Sequence, residues 1–217
     1  CADAAPNLLR EGVSPERIHF VGNVMIDSLA HHRERAASSS VMETLGVTSR
    51  GYILVTLHRP SNVDVPERLA ALVDLVRELG TRLPVVFPVH PRTRGTLEAA
   101  GLWARLTAEK AVRVLGPQPY FDFLSLVKHS RFVLTDSGGI QEETTFLGVP
   151  CVTARTSTER PVTTEIGTNI LVGEDFTRSR EAVAGILAGR ARRGAIPPLW
   201  DGRSAERTVT ILAERGA

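Results

Sequence analysis

The chain has 217 residues, 42% of them hydrophobic, and its 26 basic and 24 acidic side chains leave a formal charge of +2. That length supports one large domain, or one domain with a connecting segment. A charge so near balance argues against a nucleic-acid-binding protein, and no apolar run approaches the ~20 residues of a membrane span. The two cysteines, Cys1 and Cys151, make neither a disulfide framework nor a metal-ligand pattern. With no signal peptide evident, the sequence predicts a cytoplasmic protein.

Residues 1–40 are predicted to be a connecting segment, with a strand, a helix and a linker, that leads from a preceding N-terminal domain. Residues 2–11 have helical composition, residues 18–21 form a short apolar run typical of a strand, and a helix is predicted over 24–35. The stretch 36–40 ends in three serines and predicts a loop or linker. The chain starts at a cysteine with no initiator methionine, from which we expect a fragment or a cleaved product.

Residues 41–217 are predicted to be one α/β domain. Helices are expected from Pro66 to Gly80 and over 120–129, 181–188 and 204–215, on apolar spacing and turn residues. Six short apolar runs predict strands at 52–57, 83–87, 112–115, 131–134, 149–152 and 169–172. Strands that alternate with helices indicate a Rossmann-like, doubly wound parallel sheet with helices on both faces.

The fourth predicted strand leads into the sequence TDSGGIQEE, from Thr135 to Glu143. A strand, a turn of small residues and a helix start together aim backbone N–H groups and the positive end of a helix at one point, where an anion can bind. Gly138 and Gly139 would let a bulky anion approach the backbone. We expect both glutamates in the first turn of the helix, where a carboxylate can accept from the two vicinal hydroxyls of a ribose.

A purely structural explanation of this motif is also open. Asp136 or Ser137 could cap the helix while the glutamates complement its dipole. The usual capping box is absent, because Ile140 stands three residues after Ser137. Neither a Walker loop nor a GxGxxG pattern occurs in the chain.

Polar side chains follow five of the six predicted strands. Since the carboxyl ends of parallel strands meet at one edge of a sheet, and ligands of such sheets bind there, these side chains favour a nucleotide site over helix capping alone. The residues are His58 and Arg59, His90, Gln118 and Tyr120, the stretch 136–143, and the stretch 156–160.

Four stretches resemble the non-hydrolysing UDP-N-acetylglucosamine 2-epimerases. They are TLHRPSN at 56–62, PVHPRT at 88–93, TDSGGIQEE at 135–143 and TERPVTTEIGTNILVG at 158–173. GNVMID at 22–27 and WDGRSAER at 200–207 are similar more loosely. TDSGGIQEE followed by TERP is highly specific to the family, and the resemblance spans nearly the whole chain.

The resemblance implies the C-terminal half of a GT-B-type pair of Rossmann-like domains, which holds UDP. It implies an isomerase that interconverts UDP-GlcNAc and UDP-ManNAc, by elimination of UDP to a 2-acetamidoglucal and re-addition to the other face. This activity would serve cell-wall polysaccharide biosynthesis. No cofactor or metal is implied, and the carboxylates for proton transfer belong to the other half. We therefore expect an inactive isolated chain, and a homodimer at full length.

Residue roles follow from the same resemblance. Ser137, Gly138 and Gly139 match the pyrophosphate cradle, Glu143 the ribose ligand, and His58 a histidine that assists the departing diphosphate. The loop of Gln118 and Tyr120 would meet uracil. A loop histidine bonded only to backbone is the alternative for His58.

Three further residues have weaker assignments. His90 and Arg59 match the surroundings of a second, regulatory UDP-sugar. Arg160 either pairs with Glu159 or another carboxylate, or reaches phosphate. Many bacterial members read HRREN where this chain has HRPSN at 58–62, which puts substrate-linked activation in doubt.

Two other functions fit the same motifs less fully. A GT-B glycosyltransferase donor domain would keep the phosphate site but would not need TERP or the HRPSN loop. A non-catalytic UDP-sugar sensor would use the crevice for regulation only.

Overall fold

The computed structural model describes residues 2–173 and 176–216. Within them, six parallel strands form one sheet in the order β3-β2-β1-β4-β5-β6. The strands are β1 (Ile53–Thr56), β2 (Val85–Pro88), β3 (Val112–Leu115), β4 (Phe132–Thr135), β5 (Cys151–Thr153) and β6 (Asn169–Leu171). The predicted α/β, doubly wound parallel sheet is confirmed, and each observed strand lies within two residues of its predicted bounds.

Helices precede the sheet and connect its strands. They are α1 (Ala4–Arg10), α2 (Val24–Ala37), α3 (Val41–Leu45), α4 (Pro60–Val63), α5 (Pro66–Gly80), α6 (Pro91–Ala99), α7 (Trp103–Thr107), α8 (Tyr120–His129), α9 (Gly138–Leu147), α10 (Pro161–Glu165), α11 (Phe176–Leu187) and α12 (Ser204–Gly216), with a 3-10 turn at Pro15–Arg17. In the described part of the chain, none is long and apolar enough to cross a membrane.

The core lies on both faces of the sheet because alternate residues of each strand point to opposite sides. Ile53 and Val55 face a large cluster with the apolar sides of α5, α7 and α11. Tyr52 and Leu54 face a second cluster with α3, α8 and α9. Cys151 is a free, wholly buried thiol, as its apolar surroundings predict, whereas Cys1 lies outside the described residues.

The predicted strand at residues 18–21 is wrong. These residues have no regular structure, and the carbonyl of Val21 accepts from Arg207 Nη1 of α12 at 3.1 Å. The segment lies beside a helix, so its backbone finds no neighbouring strand. Its apolar side chains reflect that contact, since Ile211 of α12 shares a surface groove with Phe20 and Val21.

Other differences concern short helices and bounds. The polar stretch after β1 contains the short helix α4, for which no helix was predicted, and α11 begins several residues before its predicted start. Helix α2 continues through Ala36 and Ala37, which were predicted to be linker. It packs on α8 through Leu29 and Leu124.

GNVMID at 22–27 and WDGRSAER at 200–207, the two motifs that resemble the family only loosely, lie in close contact. This contact joins the start of the chain to its end. Gly22 has φ +102°, and a Cβ there would lie 2.2 Å from the carbonyl oxygen of Leu199 and 2.5 Å from Ser204 Oγ. Asp27 Oδ2 accepts from the amide of Ala205 at 2.7 Å. Only glycine fits at position 22, because both its φ and its neighbours exclude a side chain.

Gly22→Ala is therefore expected to destabilise the chain more than Gly12→Ala. Gly12 has φ +84° but nothing within 4 Å of an added Cβ, so its substitution should cost only the ~1–2 kcal/mol of left-handed backbone strain. Gly22→Ala should cost a further ~1–3 kcal/mol of overpacking. Urea unfolding of both variants measures the difference, and equal losses would mean that the contact with Leu199 is not tight.

Candidate functional site

The candidate site lies where the strand order reverses, between β1 and β4. These strands pair in parallel, with Thr56 opposite Thr135. The chain leaves β1 towards β2 on one side and leaves β4 towards β5 on the other, which opens a crevice at their carboxyl ends. The loop that begins at His58 and the loop that begins at Asp136 form its two walls.

Asp136 ties these two loops together. Its side chain is fully buried, and it accepts from the backbone amides of His58 and Arg59 at 2.9–3.1 Å and from Asn62 Nδ2 at 3.0 Å. His58 Nδ1 lies 3.1 Å from Asp136 Oδ1. Burial opposes ionisation of Asp136, but the hydrogen bonds from His58, Asn62 and Arg59 outweigh it and hold the pKa of the carboxyl below its usual value.

Helix α9 begins at the other wall with its first amides facing the crevice. Ser137 is the N-cap residue, but its side chain makes no capping hydrogen bond, and the Asp136 side chain points to the loop after β1 instead. The side-chain caps that the structural explanation of the motif required are therefore not made. The N-terminal amides of α9 remain available to an anion.

Gly138 and Gly139 are not required by the protein's own packing. A Cβ on Gly138 would lie 3.7 Å from Glu159 Oε2, and one on Gly139 would lie 3.4 Å from Met25 Cε, both ordinary contacts. Neither glycine has a positive φ. Alanine would fit both positions in the unliganded chain, so these glycines leave room for something outside it.

The two glutamates of α9 have opposite environments. Both lie in the second turn of the helix, not in the first as predicted, because α9 begins at Gly138. Glu142 is buried and pairs with Arg160 Nε at 2.8 Å and with Asn23 Nδ2 at 2.8 Å. Glu143 is partly buried and has no hydrogen bond or ion pair to the described residues. Burial, and then the charge of Glu142, raises the pKa of Glu143 to about 7.

The loop from Thr158 to Arg160 closes one end of the site. Arg160 Nε pairs with Glu142, a carboxylate other than Glu159, and contact of Arg160 with phosphate stays a prediction. Glu159 forms a two-bond ion pair with Arg155 at 2.6–2.7 Å. Thr158 Oγ1 donates to Gln141 Oε1 at 2.6 Å, which anchors the loop on α9.

The remaining predicted residues are Tyr120, Gln118, His90 and Arg59. Tyr120 is exposed at the start of α8, and the charge of Glu143 is one cause of its raised pKa, after burial. The Gln118 side chain donates to the carbonyl of Gly116. The His90 ring centroid lies 5.6 Å from that of His58, and His90 Nδ1 caps α6 by accepting from the amide of Arg92. Arg59 Nε is buried without a partner.

Comparison with known proteins agrees with this geometry. The family model described as UDP-N-acetylglucosamine 2-epimerase matches residues 1–213. The chain belongs to the UDP-N-acetylglucosamine 2-epimerase family. The predicted family is thereby confirmed, and membership accounts for the motifs at both walls of the crevice.

Individual epimerases extend the comparison. The chain is 38% identical to the UDP-N-acetylglucosamine 2-epimerase of Methanocaldococcus jannaschii over 96% of its own length and 58% of that relative's. It is 42% identical over 174 residues to the UDP-2,3-diacetamido-2,3-dideoxy-D-glucuronate 2-epimerase of Pseudomonas aeruginosa, covering 78% of this chain and 46% of that relative. The chain thus spans roughly half of the curated epimerases that it matches.

Solved structures agree with the fold. The Methanocaldococcus jannaschii epimerase in complex with UDP-GlcNAc and UDP has a TM-score of 0.87 over 96% of this chain and 58% of that one. A UDP-forming trehalose-phosphate synthase from Burkholderia xenovorans, 14% identical, has a TM-score of 0.60 over 90% of this chain and 51% of that one. The second likeness shows that a GT-B glycosyltransferase shares this fold.

Three residues of the site were missed or misassigned from the sequence. Asp136 was considered only as a helix cap, and Asn62 and Asn23 were not singled out. Asn62 donates to both Asp136 and the carbonyl of Ala154, and Asn23 joins the start of α2 to Glu142. Their positions inside HRPSN and GNVMID were the available signal.

The raised pKa of Glu143 predicts a pH-dependent loss of stability. An ordinary glutamate ionises near pH ~4.3, so a folded-state pKa of about 7 means that the folded chain holds this proton more tightly than the unfolded chain does. The charge therefore destabilises the fold increasingly from about pH 4.5 to about pH 7. Glu143→Gln should match the wild type near pH ~4.5 and exceed it by about 2 kcal/mol at pH ~8, after a discount for partial exposure.

Urea unfolding at the two pH values measures this difference. Glu43→Gln, which changes an exposed glutamate of α3, is the matched control and should show little pH-dependent difference. A Glu143→Gln effect that is equal at both pH values would show that the carboxyl is not desolvated.

Proposed function

We propose that this chain is the UDP-binding part of a UDP-N-acetylglucosamine 2-epimerase. The proposal depends on one observation: Glu143 is a partly buried carboxylate without a partner, behind a helix start whose two glycines have no packing role. An unpaired carboxylate in such a place is costly unless a ligand supplies donors. Two ribose hydroxyls supply them, and a diphosphate supplies the anion for the amides of α9.

The neighbouring charges support this orientation of the nucleotide. Glu142 and Glu159 lie beside the glycines, but each is paired with an arginine, Arg160 and Arg155 respectively. Their charges therefore oppose an incoming diphosphate less than free carboxylates would. The exposed Tyr120 ring, beside Glu143, suits the uracil end of the ligand. Diphosphate at α9, ribose at Glu143 and base near Tyr120 form one continuous path.

His58 is the residue of this chain best placed to take part in the reaction. It lies beside the diphosphate wall, with about a third of its side chain exposed. The proposed reaction breaks the C2–H and C1–O bonds of the sugar: the C2 proton passes to a base, and the C1–O electron pair leaves with UDP to give a 2-acetamidoglucal. UDP then re-adds at C1 while a proton adds to the opposite face of C2. Protonated His58 would stabilise the charge that grows on the departing diphosphate.

The proton at C2 requires a base, and no acidic side chain that the structure describes at this rim is free for that role. At this rim Asp136, Glu142 and Glu159 are each committed to a partner, and Glu143 is assigned to ribose. The isolated chain is therefore proposed to bind UDP without epimerising UDP-GlcNAc. The homodimer and the cytoplasmic location remain predictions, and the regulatory role of Arg59 and His90 is a proposal of the same standing.

Gly139→Ala separates ligand binding from folding. Alanine fits position 139 and should stabilise α9 by about 0.5–1 kcal/mol. It should nevertheless weaken UDP binding at least tenfold, because the methyl group occupies the anion's path. Gly185→Ala in α11, where an added Cβ meets nothing within 4 Å, is the control and should stabilise the chain without affecting UDP binding. Equal UDP affinities of the two variants in a calorimetric titration would show that the diphosphate does not bind at the start of α9.

Epimerase activity is tested with a chimera. This chain is fused to the part of the Methanocaldococcus jannaschii epimerase that it does not match, and the fusion is incubated with UDP-GlcNAc in D2O beside the unmodified epimerase. Proton NMR should show loss of the C2 proton signal, as deuterium replaces that proton, together with the appearance of UDP-ManNAc. His58→Asn should lower kcat more than it raises KM, since the diphosphate charge develops towards the transition state.

Other products would favour other functions. Transfer of the sugar to an added acceptor, without deuterium at C2, would favour a glycosyltransferase. The 42% identity to the Pseudomonas epimerase makes UDP-2,3-diacetamido-2,3-dideoxy-D-glucuronate the second substrate to test, and faster turnover of it would reassign the sugar. C2 deuteration by the isolated 217-residue chain would mean that the base lies on this rim.

A further inference from the structure

Asp136 makes one contact more than is needed to hold the loop after β1. The backbone amides of His58 and Arg59 and the side chain of Asn62 already donate to its carboxylate. These three donors are sufficient to hold the loop after β1 against β4. The approach of His58 Nδ1 to Oδ1 at 3.1 Å is an additional contact, and it involves the side chain proposed to meet the diphosphate.

The buried carboxylate restricts which ring nitrogen of His58 carries the proton. Asp136 is fully buried and its pKa is lowered, so the group is ionised and can only accept. A neutral imidazole beside it is stabilised with the hydrogen on Nδ1 and destabilised with a lone pair there. The other ring nitrogen, Nε2, lies across the ring from Nδ1 and therefore points away from the Asp136 carboxylate, and about a third of the side chain is exposed.

Neighbouring groups leave this arrangement undisturbed. The His90 ring lies next to that of His58, but its own Nδ1 is occupied by the amide of Arg92. Asn62 Nδ2 donates to Asp136 Oδ2 and to the carbonyl of Ala154. Asp136 Oδ1 accepts from the backbone amide of His58 at 3.1 Å, and the same oxygen lies 3.1 Å from Nδ1 of the His58 ring.

We propose that Asp136 is a positioning residue for His58: it accepts from Nδ1–H and so presents Nε2 to the diphosphate oxygens. Asp136 itself neither gains nor loses a proton. When His58 is protonated, the Nδ1 proton stays with Asp136 and the Nε2 proton is the one directed at the leaving group. The identity of that group rests on the proposed function, whereas the tautomer of His58 does not.

The test is a two-bond 1H–15N correlation spectrum of the 15N-histidine-labelled 217-residue chain. It is recorded near pH ~9, well above the ordinary histidine pKa of ~6.5. His58→Gln identifies the His58 signals among the six histidines. The expected spectrum shows His58 in the Nδ1–H form in the wild type. In Asp136→Asn the Nε2–H form should dominate, since an amide N–H now faces Nδ1.

Asn62→Ala is the matched control, because it removes a hydrogen bond to Asp136 but leaves Oδ1 and the His58 ring in place. It should lower stability and keep the Nδ1–H form. A wild-type His58 in the Nε2–H form would overturn the proposal, whether or not Asp136→Asn folds. A shift of tautomer in Asn62→Ala like that in Asp136→Asn would also overturn it, since loop anchoring alone would then set the ring.

Titration with UDP near neutral pH separates this inference from the proposed function. Asp136→Asn should weaken UDP binding about tenfold, and Asn62→Ala less than threefold. If the wild-type chain does not bind UDP but His58 is in the Nδ1–H form, the proposed nucleotide site is contradicted and the role of Asp136 towards His58 stands. UDP binding by the wild type that Asp136→Asn leaves unchanged would contradict the role of Asp136.

Discussion

The site depends on one buried carboxylate that joins two loops across the centre of the sheet. Asp136 ends β4, and its partners His58, Arg59 and Asn62 follow β1. A carboxylate at this depth that lost its partners would cost on the order of 3–5 kcal/mol, so the loops and the charge stabilise each other. This constraint joins the two loops and places His58 beside Asp136, two residues before the start of α9, in the unliganded chain.

The electrostatics of the rim follow from which acids are paired. Glu142 is paired with Arg160 and Glu159 with Arg155, while the charge of Asp136 is stabilised by hydrogen-bond donors of the opposite loop. Glu143 remains unpaired, and burial together with the charge of Glu142 raises its pKa to about 7. No described residue donates a hydrogen bond to this carboxylate, which lies at the place proposed for the ribose hydroxyls of a nucleotide. Ligand binding would replace a cost of the unliganded fold with hydrogen bonds.

The sequence predicted what depends on local pattern. Buried parallel strands are continuous apolar runs, so all six strands and the edge that collects polar residues could be located. Contacts between distant residues were not predictable. His58 and Asp136 are 78 residues apart, and Asp136 was considered only as a cap because capping is the local use of aspartate. Residues 18–21 have strand-like composition, but Arg207 of α12 meets them where a strand would be needed.

A crystal structure of the 217-residue chain with UDP tests the central claim most directly. The account predicts both ribose hydroxyls within hydrogen-bonding distance of the Glu143 carboxylate and the diphosphate at the first amides of α9, beside Gly138 and Gly139. His58 Nε2 should lie nearest the β-phosphate, with Nδ1 still on Asp136. UDP bound outside the crevice between β1 and β4, or with its ribose turned away from Glu143, would contradict the account.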